Sequence, residues 1–187
     1  MKEAMATDER AHQPSTALVR RAPEAPALGD DVRLQLLWLG LQQRSWRSLA
    51  VIAASEGIET LTVADTLAKI AWAYTGQPTC VFDMRDLNLR LLEHQIRDMA
   101  AQLQGGERVF VALRSINENP TAVPLAMAAD AVVLCIELGR TDIKGAQRTL
   151  TAIGREKFLG TLLVPRATSK ERGPVATPPP PPGEPPR

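Results

Sequence analysis

The sequence predicts an α/β fold, a doubly wound and mostly parallel sheet with flanking helices. Short apolar runs alternate along the chain with longer segments whose apolar residues recur every three or four positions. Runs that are apolar on both faces are typical of parallel strands buried between helix layers, and the longer segments are typical of amphipathic helices. Strands that alternate with helices at this spacing indicate right-handed crossovers within one sheet.

The 187 residues divide into one domain and two terminal segments. Residues 1–29 offer little apolar surface to offset the entropy lost on ordering, so they are predicted to be a disordered arm. Residues 30–164 carry the alternating pattern and form the domain. Residues 165–187 are predicted to be a disordered tail whose proline run, 178–182, favours polyproline II. That tail is either a solvated end or a ligand for a proline-recognising module.

The first helix of the domain begins at Asp30 or Asp31, either of which can cap it, and its leucines include pairs at helical spacing. Residues 47–54 form the first strand, because the run is apolar on both faces. A helix over residues 60–74 follows. It ends at residues 76–78, Gly-Gln-Pro, where glycine permits a left-handed stop and proline cannot continue helical bonding.

The second strand covers residues 79–82 and finishes at Asp83. A second crossover helix is indicated by apolar residues at steps of four, three and four, closed by two glycines. That apolar stripe consists of Leu92, Ile96, Met99 and Leu103. The remaining predicted elements are strand 109–113, a short helix 122–129, strand 131–138, helix 143–153 and strand 158–164.

The charge balance does not indicate nucleic acid or an anionic membrane as a partner. The chain has 22 basic and 21 acidic residues and a net charge of +1, so it lacks a strong field of one sign. Residues 1–29 lack the apolar core of a secretory signal, and the apolar region 122–138 is divided by Pro124 and Asp130, which argues against a membrane span. We expect a cytoplasmic protein without direct membrane insertion.

Cysteine and histidine usage predicts neither a disulfide framework nor a metal site. Cys80 and Cys135 each lie inside an apolar run, which favours reduced, buried thiols. His12 and His94 are far apart, and no cysteine or carboxylate cluster accompanies them at ligand spacing.

The stretch 47–68 reads as strand, tight turn and helix, which is where a phosphate-binding loop would lie. Its segments are SLAVIAAS (48–55), GIETL (57–61) and ADTLA (64–68). They resemble the strand SLLVTSA, the Gly-Glu-Gly-Lys-Ser/Thr loop and the helix end AANLA of the cytoplasmic P-loop tyrosine kinases of bacterial capsule and exopolysaccharide biosynthesis. That family is related to the MinD/ParA-type septum-positioning and chromosome-partitioning ATPases, and the resemblance spans residues 30–164. It implies a P-loop NTPase-like fold.

The phosphate-binding chemistry of that loop is missing. Phosphate cradling needs small residues, a lysine for the terminal phosphates and a hydroxyl for magnesium. Ser55 and Gly57 lie in the loop, but Glu59 replaces the second glycine, Thr60 the lysine and Leu61 the hydroxyl residue. The resemblance therefore implies a degenerate Walker A motif.

Two further motifs of the family also depart from its pattern. The Asp-x-Asp at the end of the second strand becomes Asp83 followed by Arg85, and leucine or Arg114 stands where the third strand should end in aspartate. Asp83 is either a vestigial magnesium ligand or a cap of the next turn, and we favour the cap. Arg85 and Arg114 are predicted to pair with Glu59 and Asp83 and to fill the site.

These departures favour a non-catalytic protein without a cofactor, a pseudo-ATPase or pseudokinase. The resemblance implies an accessory or scaffold role in exopolysaccharide or capsule assembly, with a membrane polysaccharide copolymerase as the protein partner and a peripheral place at the inner membrane through that partner. Two alternatives remain open, an active ATPase or tyrosine kinase that uses ATP and Mg²⁺, and a ParA/MinD-like positioning protein. The only tyrosine, Tyr74, lies far from the tail, so a phosphorylated tyrosine tail is not expected. The sequence leaves oligomerisation open.

Overall fold

The computed structural model describes residues 19–21 and 32–164. The predicted proline-rich tail, most of the predicted arm and the predicted cap at Asp30 or Asp31 lie outside the described residues. The strands are β1 Val19–Arg21, β2 Ser48–Ala53, β3 Thr79–Asp83, β4 Arg108–Leu113, β5 Ala131–Glu137 and β6 Phe158–Val164. The helices are α1 Val32–Leu41, α2 Thr60–Thr75, α3 Leu92–Gln104, α4 Ala122–Ala128 and α5 Ile143–Ile153, with 3₁₀ turns at Leu89–Leu91 and Arg155–Lys157.

Six strands form one sheet in the order β1-β3-β4-β2-β5-β6. The five strands β2 to β6 are parallel, with β2 in the centre, where Val51 lies opposite Ala112 of β4 and Val133 of β5. This arrangement confirms the predicted doubly wound, mostly parallel α/β fold. All six residues of β2 are buried, which explains why Leu49–Ala53, the part after Ser48, is a continuous apolar run.

Successive residues of β2 face two separate hydrophobic clusters, one on each side of the sheet. Leu49 and Val51 pack in the cluster that contains Trp38 of α1 and Leu67 of α2. The second cluster is contributed by the other three helices and includes Ala50, Ile52, Met99, Leu125 and Ile153. Helices therefore cover both faces, and the carboxyl ends of the parallel strands share one edge.

The short strand β1 differs from the prediction for the N-terminal arm. Val19–Arg21 pair antiparallel with β3, with Val19 opposite Phe82 and Arg21 opposite Cys80. The predicted disorder is therefore wrong for these three residues. The reason is that β3 has an unpaired edge whose N–H and C=O groups accept another strand whatever its side chains.

Two local contacts fix the ends of the elements that lead to the site. Asp130 accepts hydrogen bonds from the backbone N–H groups of Arg47 and Ser48, each at 2.9 Å, and thereby ties the start of β2 to the start of β5. At the C-terminal end of α2, Gly76 adopts a φ of 65° and donates its N–H to the carbonyl of Trp72 at 2.8 Å. That geometry confirms the predicted left-handed stop.

Both cysteines, Cys80 and Cys135, are buried, as predicted, and neither forms a disulfide. In the part of the chain that the structure describes, no helix is long and apolar enough to cross a membrane. Over the same residues, no group of three or more His, Cys, Asp and Glu side chains is placed to hold a metal ion.

Candidate functional site

The candidate site lies at the carboxyl edge of the sheet, where β2, β3 and β4 end. The turn between β2 and α2 contains Gly57, whose φ of 77° places it in the left-handed region that favours glycine. The predicted strand, turn and helix are therefore present. The side chains around the turn determine what the site can bind.

Glu59 is the N-cap of α2. Its Oε1 accepts a hydrogen bond from the backbone N–H of Leu61 at 3.3 Å. A carboxylate at this position also interacts favourably with the positive end of the helix dipole. At least one of the N–H groups that would face an anion in a phosphate-binding loop is therefore used by the protein's own carboxylate.

Thr60 and Leu61 contact the protein interior. The Thr60 side chain is fully buried, and its Oγ1 donates a hydrogen bond to the carbonyl of Leu113, at the end of β4, at 2.9 Å. Leu61 is partly buried and packs against the core cluster formed with α1 and α2. Of the two positions that the sequence resemblance aligns with a lysine and a magnesium-binding hydroxyl, one thus has a side chain bonded to the sheet and the other a side chain packed on the core.

Arg85 joins the ends of β3 and the loop into one ion-pair network. Its Nε and Nη2 donate to Oδ1 and Oδ2 of Asp83, each at 2.8 Å, and its Nη1 contacts Oε1 of Glu59 at 2.5 Å. The pairing predicted for Arg85 with Glu59 and Asp83 is confirmed. A bidentate guanidinium–carboxylate pair is among the stronger polar contacts in proteins.

The network changes the acidity of its members. The hydrogen bond from the Arg85 side chain lowers the pKa of Asp83, although partial burial acts in the opposite direction. The same hydrogen bond raises the pKa of Arg85, with Glu59 contributing in the same sense. Asp83 also accepts a hydrogen bond from the backbone N–H of Arg85 at 3.3 Å, which confirms the interpretation of Asp83 as a cap of the turn.

Arg114 does not join this network, and the prediction that it pairs with Glu59 and Asp83 is wrong. Its Nε donates to Oδ1 of Asp86 at 2.9 Å, and its Nη1 contacts Oε1 of Glu118 at 3.4 Å. The hydrogen bond to Asp86 raises the pKa of Arg114. Arg85 already holds both carboxylate oxygens of Asp83, so Arg114 pairs with the acidic residues of the two adjoining loops.

A cavity of about 430 Å³ lies beside these arginines. It is lined by Glu56, Arg85, Asp86, Arg114, Glu118 and Asn119. Three of these side chains are carboxylates, and both arginines already have carboxylate partners. The cavity therefore offers an anion no guanidinium group that is free of an acidic neighbour.

Asn119 is a site residue that the sequence did not indicate. Its side-chain amide donates to the carbonyls of Arg85, at 3.1 Å, and Leu87, at 2.9 Å. It holds the loop after β4 against the loop after β3. The sequence did not indicate Asp86 and Glu118 either, because the residues around an acidic side chain in a polar loop do not show which cation it will bind.

The loop after β5 covers the turn between β2 and α2. Ser55 and Thr141 share a hydrogen bond of 3.0 Å between their hydroxyl oxygens. The Arg140 guanidinium lies so close to Gly57 that a Cβ there would be 3.2 Å from both terminal nitrogens. Arg140 and Thr141 directly follow Gly139 in the turn after β5, and the sequence analysis did not predict these contacts.

Comparison with known proteins supports the architecture. No protein-family model and no curated protein matches the chain. The fold is similar to the crystal structure of the chimerical protein CapA2B2, with a TM-score of 0.56 and 14% identity over 71% of this chain and 81% of that chain. A chain of the E. coli MS115-1 HORMA:CdnC:Trip13 complex also matches, at 16% identity over 76% of this chain and 51% of that chain. Its TM-score of 0.24 does not indicate a shared fold. At 14% identity, the likeness to CapA2B2 shows the fold alone.

Proposed function

We propose that this chain is a non-catalytic relative of P-loop ATPases that acts as an accessory or scaffold protein. The observation that carries the proposal is the Arg85 network. The loop carboxylate Glu59 and the strand-end carboxylate Asp83 are both bound to one guanidinium. These side chains hold together the edge of the sheet where a nucleotide would otherwise lie.

The residues at the Walker positions do not fit Mg-ATP. A hydrogen bond between lysine and phosphate contributes about 2–3 kcal/mol, and the hydroxyl of buried Thr60 cannot replace it while it is bonded to Leu113. Glu59 is 57% exposed and would place a carboxylate beside the phosphates. The end of β4 offers Leu113 and Arg114, and neither side chain is an oxygen ligand for magnesium.

The biological setting comes from the resemblance of the sequence motifs. On that basis we place the protein in the cytoplasm, in exopolysaccharide or capsule assembly, as a protein-binding component that reaches the inner membrane through a membrane copolymerase. A protein that has lost nucleotide turnover keeps the fold's surfaces for such contacts.

Thermal unfolding of the full chain with and without about 1 mM Mg-ATP tests the proposal, because a ligand that binds only the folded state must stabilise it. We expect an unchanged melting temperature, and the same result with Mg-ADP. A reproducible rise with Mg-ATP would overturn the proposal and favour the ATPase, kinase or positioning alternatives. Phosphate release above that of a Glu59→Ala, Asp83→Ala double variant would specifically support an enzyme.

A further inference from the structure

A second cavity, of about 520 Å³, lies along the outer face of α5, away from the Arg85 network. It is lined by Ile116, Lys144, Gln147, Arg148, Thr151 and Ala152. We propose that this groove binds an acidic segment of a partner protein. The proposal rests on the scaffold function proposed above and specifies the chemistry of the partner.

The packing of α5 fixes which side chains reach the groove. Gly145 lies so close to the sheet that a Cβ there would be 3.3 Å from the carbonyl oxygen of Ala54, and Thr149 and Ile153 are buried. Lys144 and Arg148 follow each other at a helical step of four, so they share one face a single turn apart. Their side chains are exposed, and their positively charged groups border the groove together.

Within residues 32–164, neither cation has a carboxylate partner. Helix α5 itself contains no acidic residue. Asp142 precedes the helix and accepts a hydrogen bond from the backbone N–H of Lys144 at 3.1 Å. Glu118 belongs to the adjoining loop, but its carboxylate contacts Arg114 and Ser115. Lys144 and Arg148 therefore give the groove a positive charge, which complements an acidic ligand.

The other wall of the groove is a loop fastened by side-chain hydrogen bonds. The Ser115 hydroxyl donates to Glu118 at 2.9 Å, and the Thr121 hydroxyl donates to the carbonyl of Leu87 at 3.0 Å. Ile116 lies in this loop and is partly buried against the core. A pre-formed wall lowers the entropy cost of binding, since little has to be ordered when a ligand enters.

The combination of charge and apolar surface specifies the ligand. Two cations about one helical turn apart match two carboxylates spaced about 6 Å apart. Ile116 and Ala152 offer apolar surface for a side chain between them. Nucleic acid fits less well, because phosphate contacts usually come from a longer series of basic residues, and the net charge of this chain is only +1. An acidic peptide with an interleaved leucine has the required chemistry.

Fluorescence anisotropy of the full chain with a labelled peptide of repeating Glu-Glu-Leu tests the proposal. We expect saturable binding that weakens at least about tenfold, or 1.4 kcal/mol, in the Lys144→Glu, Arg148→Glu double variant. The Arg90→Glu, Arg97→Glu double variant changes net charge equally on exposed residues elsewhere, and should weaken binding no more than about twofold. The conservative Lys144→Arg, Arg148→Lys exchange should retain binding, which separates charge from folding.

Four results would overturn the proposal: no binding of the peptide, equal losses in the two charge-reversal variants, equal binding of a Gln-Gln-Leu peptide, or tighter binding of a single-stranded oligonucleotide of the same charge. The measurement contains no nucleotide. A failure here would therefore leave the proposed loss of ATP binding intact, and detection of Mg-ATP binding would leave the peptide result intact.

Discussion

The substitution Arg85→Ala removes the side chain that joins the loop after β2 to the end of β3. Arg85 and Asp83 are 21% and 28% exposed, so their bidentate pair is only partly screened by solvent and contributes about 2 kcal/mol as a charge-assisted contact. Glu59 is 57% exposed, and its contact adds about 0.5 kcal/mol as a surface ion pair. We expect a total loss of about 2.5 kcal/mol, or a decrease of about 7 °C in melting temperature for a protein of this size.

Urea denaturation at pH 7 measures this loss, and its pH dependence identifies the cause. Because Arg85 holds the pKa of Asp83 below 3.8, the contribution of the pair is present above that value and is lost as pH falls through the lowered pKa. The difference between the parent and Arg85→Ala should therefore shrink between about pH 4 and pH 2. Arg90→Ala, on an exposed side chain without an ion pair in the described residues, is the matched control. A loss below about 0.5 kcal/mol, or additive effects of Arg85→Ala and Asp83→Asn, would refute the reasoning.

Three further predictions concern Thr60, Asp130 and Cys135. Thr60→Lys introduces the lysine of a phosphate-binding loop but places its ammonium group at a fully buried position. We therefore expect a loss of at least about 2 kcal/mol in urea denaturation and no gain of Mg-ATP binding; an equally stable variant that binds Mg-ATP would contradict this. Partial burial acts to raise the pKa of Asp130, but the hydrogen bonds that its carboxylate accepts from Arg47 and Ser48, with the nearby charge of Lys157, outweigh that effect, so the pKa is lowered. Asp130→Ala should therefore cost about 2 kcal/mol at pH 7 and lessen the loss of stability below about pH 4. Unchanged acid unfolding of the variant would argue against that role. Burial raises the pKa of Cys135 to about 12, so iodoacetamide at about pH 8 should leave this thiol unmodified in the native protein, as read by mass spectrometry; rapid stoichiometric labelling would show that it is accessible.

The parallel strands and their helices could be predicted because their signals are local. A strand such as β2, buried on both faces, is apolar at every position after Ser48. The end of α2 was predictable because Gly76 and the proline two positions later are themselves the residues that stop the helix. The pairing of Arg85 was predictable for a related reason. It follows Asp83 by two positions at a strand end, and parallel strands bring that end beside the loop that holds Glu59.

The contacts that could not be predicted join residues far apart in sequence. Strand β1 is only three residues long, two of them arginines, and it is held by the backbone of β3 rather than by any pattern of its own. Arg114 pairs with Asp86, 28 positions away, although several other carboxylates lie near the same edge of the sheet. Arg85 already binds both carboxylate oxygens of Asp83, and the sequence alone does not show which oxygens are occupied.

Equilibrium dialysis of the full chain against labelled ATP with Mg²⁺ measures directly whether the protein binds nucleotide. The Arg85→Ala variant is measured beside it, because it removes the guanidinium from the site without adding a lysine for the phosphates. We expect no bound nucleotide for either protein at about 1 mM ATP, a concentration at which an affinity equivalent to −4.1 kcal/mol would half-fill the site. One ATP bound per chain in the parent protein would contradict this expectation.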